Sequence, residues 1–152
     1  MPSSHEAQGD EVGWLRGNLP AGADDAPAVC MGDSRLANAL IVGSEVRALV
    51  DFEVAYIGNP AADIGYSVSF DAMHRRNADP ALPGFPSSDE TWTRWAAATG
   101  RSIEHRDYWT AFGATVLHVT AARAMRQFDM PPESVESVSL VEQWEATVER
   151  AT

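Results

Sequence analysis

Apolar residues along this chain recur at two different spacings, and the change falls near Asp51. Before it they come in short runs: Ala28–Met31, which enters Gly32-Asp33, then Ala39–Val42 and Val46–Val50, separated by Gly43-Ser44-Glu45. Short β-prone runs flanking a glycine-containing turn predict a hairpin. After Asp51 the spacing becomes helical. Asn59-Pro60 marks a turn, and Ala61–Met73 places Ile64, Val68 and Phe70 for a buried helix. Ser88 or Asp89 can cap a helix through about Ala98, closed by Gly100. The longest periodic stretch begins at Asp107 and runs through Phe112, Val116 and Val119 to about Phe128, where Pro131-Pro132 stops it. Ser134 opens a last amphipathic helix, with Val138, Val141 and Trp144 on one face.

Ahead of the hairpin, residues 1–10 read as a flexible polar N-terminus, and Glu11–Asn18 predicts a short helix presenting Val12 and Leu15. The stretch from Pro20 to Pro27 and residues 77–87, with three prolines and a glycine, read as loops. The expected fold is α+β and mainly helical: a small β-hairpin followed by four helices, in one domain from residue 11 to 152.

Composition narrows the function. The 152 residues carry 22 acidic and 11 basic side chains, a formal net charge of -11. That balance repels phosphate backbones and anionic lipids, so neither nucleic acid nor a membrane surface is expected as a partner. Every basic residue is arginine, which removes lysine-based Schiff-base and phosphate-pairing chemistry from this polypeptide. The single cysteine, Cys30, cannot form an internal disulfide and reads as a core residue. No apolar run approaches a membrane span, and no signal peptide precedes residue 10, so a cytoplasmic protein is the expectation. The four histidines lack close metal-ligand spacing, and Ser34 has no partners in triad order.

The chemistry concentrates in Gly32-Asp33, then Asn38, then the hairpin and Asp51-Phe52-Glu53. A carboxylate follows the first strand, a carboxamide comes five residues later, and the hairpin returns a second carboxylate beside them. Asp33, Asn38 and Asp51 can therefore converge on one oxygen-rich site. Two carboxylates and a carboxamide suit magnesium, which accepts few protein oxygens and keeps water and phosphate. They also suit phosphoryl transfer, in which one Asp orients the attacking hydroxyl while the other groups hold metal.

These residues, with Val50-Asp51-Phe52-Glu53 and Gly58-Asn59-Pro60 leading to Asp63, resemble the aminoglycoside phosphotransferase family of kinase-like enzymes. The usual pattern there is HGDxxxxN, a hairpin, a DW-acid motif and a GDPxxD turn. Leu82–Pro86, Thr99-Gly100-Arg101 and Asp107-Tyr108-Trp109 look like the bacterial branch related to domains fused to acyl-CoA dehydrogenases. The resemblance implies the C-terminal lobe of a protein-kinase-like fold and transfer of a phosphoryl group from ATP, with magnesium, to a small-molecule hydroxyl. Asp33 would be the catalytic Asp, and Asn38 and Asp51 the magnesium ligands. Glu53 would stand behind the metal, Asp63 would brace the catalytic loop, and Arg35 would brace the loop or approach a phosphate. Met31 replaces the family's His, and Asn59 its Asp. The N-terminal nucleotide lobe and its lysine have no counterpart here, so a catalytically silent remnant or a small-molecule-binding module of the same fold is the competing expectation. Aromatic residues after Pro86, Tyr108 and Trp109 foremost, are expected to wall a substrate pocket suited to a partly apolar hydroxylated molecule.

Overall fold

In the computed structural model, which describes residues 4–77, 83–128 and 135–151, the helices that follow the hairpin are built around one close crossing. Helices α2 (Ala61–Asn77) and α4 (Arg106–Gln127) meet at Gly65 and Gly113. A Cβ at Gly65 would stand 1.9 Å from the Trp109 carbonyl oxygen, and one at Gly113 2.4 Å from the backbone of Gly65. Only glycine at both positions lets the two backbones approach so far. Helix α3 (Ser88–Thr99) seals the pair at one side, burying Trp92 against Ala61 and Val68, with the indole N–H donated to Thr110 Oγ1 at 3.3 Å. Helix α5 (Val135–Ala151) packs on α4 and ties to α2 through Gln143, whose Nε2 donates to the Ser69 carbonyl at 3.0 Å. The predicted proline stop at 131–132 and the start at Ser134 lie outside the described residues.

Helix α1 spans Ser4–Gly17, beginning well before the predicted Glu11. It packs on α4 through Leu15, beside Tyr108 and Ala111, and through a buried pair in which Glu11 Oε1 lies 2.7 Å from His118 Nδ1. Helix α3 is capped by Ser87, one residue ahead of the expected position. Glu90 lies three residues on, so the two side chains and backbone N–H groups reciprocate as a capping box. Gly100, in the left-handed region at φ 70°, ends the helix as predicted.

The strands are short. The predicted hairpin forms from β2 (Ala39–Val42) and β3 (Glu45–Leu49), preceded by a 3₁₀ turn at Leu36–Asn38. Strand β1 (Ala28–Cys30) pairs antiparallel with β4 (Tyr56–Gly58), an element the apolar spacing did not predict, with Cys30 opposite Tyr56. The fold is thus α+β, as the sequence implied, with a second small antiparallel sheet beside the predicted hairpin. Among the described residues, no helix is long and apolar enough to cross a membrane.

Candidate active site

The loop after β1 is shaped by backbone constraints before any side chain acts. Gly32 has φ 81°, and a Cβ there would meet the Val54 carbonyl oxygen at 2.5 Å, so position 32 requires glycine on two counts. Asp63, in the first turn of α2, accepts the Met31 N–H at Oδ2 (2.6 Å) and the Gly32 N–H at Oδ1 (2.9 Å). Ser34 Oγ donates to the Asp63 carbonyl at 2.6 Å. One carboxylate and one carbonyl at the start of α2 therefore hold the loop from below. Asn59 starts that helix, accepting the Ala61 N–H at 3.0 Å while its Nδ2 donates to the Ala23 carbonyl at 3.0 Å.

Asp33 is the most heavily engaged acid on the loop. Its Oδ1 accepts the Tyr66 hydroxyl at 2.6 Å, and its Oδ2 accepts Asn38 Nδ2 at 2.9 Å. The same Nδ2 reaches the Asp33 carbonyl at 2.9 Å. Arg35 Nε lies 3.1 Å from Oδ2 as an ion pair, and its guanidinium sits 5.6 Å above the Phe70 ring. Burial and the bond to Asp33 both push the Tyr66 phenol well above the ordinary tyrosine range, so it remains a donor. Cys30, fully buried on β1, also has its thiol pushed up by burial, as a core residue should.

Asp33 and Asp51 face one cavity of about 470 Å³, together with Arg35, Glu53 and Asp63. Asp51 enters it from the end of the hairpin with φ 67°, a conformation Asp tolerates better than most residues. Asn38 is buried beneath Asp33 rather than on the cavity wall. The far wall is apolar, formed by Phe70 and Met73 from α2 and by Phe112, Val116 and Ala121 from α4. Tyr108 and Trp109, expected on that wall, lie elsewhere. Tyr108 is buried against Leu15 and Trp14 and donates to the Leu15 carbonyl at 3.3 Å, while Trp109 faces a separate cleft with Trp92 and Trp95. The exchange is one of position along α4: Tyr108 and Trp109 lie on nearly the same stripe as Phe112 and Val116 but in the first turn of the helix, and the cavity meets the later turns. Sequence reading also missed Tyr66, although its place three residues after Asp63 on one helix face was a usable signal.

Asp51 and Glu53 present hard oxygen donors to this cavity, a chemistry that suits magnesium better than a softer metal. Among the described residues, no three His, Cys, Asp or Glu side chains gather closely enough to hold a metal ion on their own.

Residues 4–98 match the sequence profile of the phosphotransferase enzyme family. The chain belongs to that family. Phosphotransferase-family membership agrees with two individual likenesses. An acyl-CoA dehydrogenase family member 11 from Gallus gallus is 39% identical over 59 residues, covering 38% of this chain and 8% of that protein. The crystal structure of an aminoglycoside phosphotransferase-like protein from Ralstonia eutropha JMP134 superposes with a TM-score of 0.64 at 22% identity, over 96% of this chain and 47% of the other. The second likeness shows the fold, and the phosphotransferase-family chain described here spans about half of its length.

Proposed function

We propose that this chain is the acceptor-binding lobe of an ATP- and magnesium-dependent phosphotransferase acting on the hydroxyl of a small molecule with an apolar body. The observation that carries the reading is the cavity itself, whose lining combines the carboxylates of Asp33 and Asp51 with the apolar side chains of Phe70, Met73, Phe112 and Val116. In the reaction, the acceptor oxygen forms a bond to the γ-phosphorus as the bridge to ADP breaks, and the hydroxyl proton passes to Asp33. Asp51 and Asn38 would hold magnesium, with Glu53 behind them. Bound there, the ion would neutralise charge on the phosphate oxygens. A polycationic sugar finds few partners on the apolar wall, which supports a poor fit for aminoglycosides.

The nucleotide lobe with its lysine would sit against the outward face of the hairpin. Leu40, Ile41, Val42, Val46 and Leu49 are all roughly half exposed or more over the two faces of the hairpin, with Val29 and Ile57 on the neighbouring sheet, an apolar surface of the kind that marks an interface. The lack of lysine favours a second reading, a silent module that binds the acceptor without phosphorylating it. The test is calorimetric binding of hydroxylated aryl and alkyl compounds, set against kanamycin, by the isolated chain. It is followed by ATP consumption with a lysine-bearing nucleotide lobe joined to it. Transfer that disappears in Asp33→Asn supports the phosphotransferase, binding without transfer supports the silent module, and absence of both overturns the site.

A further inference from the structure

We propose that Tyr66 positions the Asp33 carboxylate, presenting Oδ1 as the oxygen that takes the proton of the acceptor hydroxyl. The inference rests on the phosphotransferase reading of this cavity and adds a residue to it. A carboxylate offers about two acceptor sites on each oxygen. Oδ2 accepts Asn38 Nδ2 at 2.9 Å and is crowded by the Arg35 guanidinium, whose Nε stands 3.1 Å away as an ion pair without a hydrogen bond. Among the described residues Oδ1 accepts the Tyr66 hydroxyl alone, at 2.6 Å, leaving one acceptor site on the oxygen of a residue that lines the cavity. An incoming hydroxyl therefore meets Oδ1 beside the phenol, and the phenol sets the rotation of the carboxylate about its Cβ–Cγ bond.

Tyr66 is itself held. It is buried, its ring stacks on Phe70 with centroids 6.3 Å apart and planes at 20°, and the Arg35 guanidinium covers Phe70 in turn. Asp33, Tyr66, Phe70 and Arg35 thus form a closed circuit of contacts around the reactive group. The same turn of α2 carries Asp63, which fixes the loop backbone at Met31 and Gly32. Backbone and carboxylate are therefore set from one rigid element, which is what an oriented base requires.

The direct test uses the full chain labelled at the tyrosine ζ-carbons, with the Tyr66 signal assigned by its loss in Tyr66→Phe. In Asp33→Asn the Tyr66 phenol should titrate at lower pH than in the wild type, while Tyr108 stays unmoved. No change at Tyr66 overturns the proposal. In the transfer assay, Tyr66→Phe should lower kcat by about 10- to 100-fold with KM for ATP and acceptor essentially unchanged. Added to Asp33→Asn, it should cost nothing more. A loss in KM alone, or a full additional loss on top of Asp33→Asn, overturns the positioning role. Failure of the wild type to transfer at all refutes the phosphotransferase reading, and the tyrosine titration still decides whether Tyr66 holds Asp33.

Discussion

Replacing Gly113 by alanine sets two effects of opposite sign against each other. In a helix interior alanine is favoured over glycine by about 1 kcal/mol, so propensity alone predicts stabilisation. The added methyl, however, would stand 2.4 Å from the carbon and oxygen of Gly65 and from the Tyr66 nitrogen, where ordinary carbon contacts lie near about 3.5 Å. All three atoms are backbone and cannot rotate away, so α2 and α4 must separate. Overpacking of this kind costs about 1–3 kcal/mol and sometimes more. The steric term wins, and Gly113→Ala should lose about 1–2 kcal/mol net. Gly65→Ala, at 1.9 Å from the Trp109 oxygen, should lose at least as much. Gly13 in α1 has open space around it, with nothing within 4 Å of where a methyl would go, so Gly13→Ala isolates the propensity term and should gain about 0.5–1 kcal/mol. Urea unfolding followed by circular dichroism measures all three, with each 1 kcal/mol shifting the thermal midpoint by about 2–4 °C at this size. If Gly113→Ala is as stable as the wild type while Gly13→Ala gains, the helices do not cross this closely and the reasoning fails.

Two further outcomes follow from the loop and from α3. Asp63→Asn turns an N–H group toward amides that now meet a carboxylate, and should cost about 2–3 kcal/mol and speed hydrogen exchange at Met31 and Gly32; unchanged protection there would show that the loop is held by something else. Hydrogen bonds from Ser87 hold the Glu90 carboxyl below the usual glutamate range, so its contribution is present above that range and is lost as pH falls through the depressed value. The melting-temperature gap between wild type and Glu90→Gln should accordingly be widest near neutrality and close in acid, and a gap that widens on acidification contradicts the capping role.

The sequence made the hairpin, the turn at Asn59-Pro60 and the four helices after it legible because each has a strong local signal: a glycine turn, a proline, or a sustained period. Strand β4 was invisible because it is three residues long and leaves Ile57 exposed, so no alternation can build up. The beginning of α1 was hidden because Ser4–Asp10 holds almost no apolar residue from which to read a period. Chain order alone predicted that Asp33, Asn38 and Asp51 converge; Asp33 and Asp51 do line one cavity, while Asn38 is spent on Asp33 and stays off its wall. The aromatic wall was not legible, since Tyr108, Trp109, Phe112 and Val116 fall on nearly one stripe of α4, and which turn of it meets the cavity depends on where along its length α2 crosses it. That crossing is set at Gly65 and Gly113, two residues with no side chain to notice.

Asn59 stands where the family pattern has an aspartate, and by its letter it reads as a weakened motif. Its chemistry is different in kind. A carboxylate at that point could receive the Ala61 N–H, but it would turn a second electron-rich oxygen toward the Ala23 carbonyl. The carboxamide instead faces each neighbour with the complementary end of a dipole. The long loop ahead of β1 is thereby latched to the first turn of α2, the turn from which the loop after β1 is suspended. In this chain the exchange of one atom, oxygen for nitrogen, converts a helix cap into a cross-link between segments far apart in sequence. Any restoration of the family's aspartate would have to find another fastening for residues 20–27.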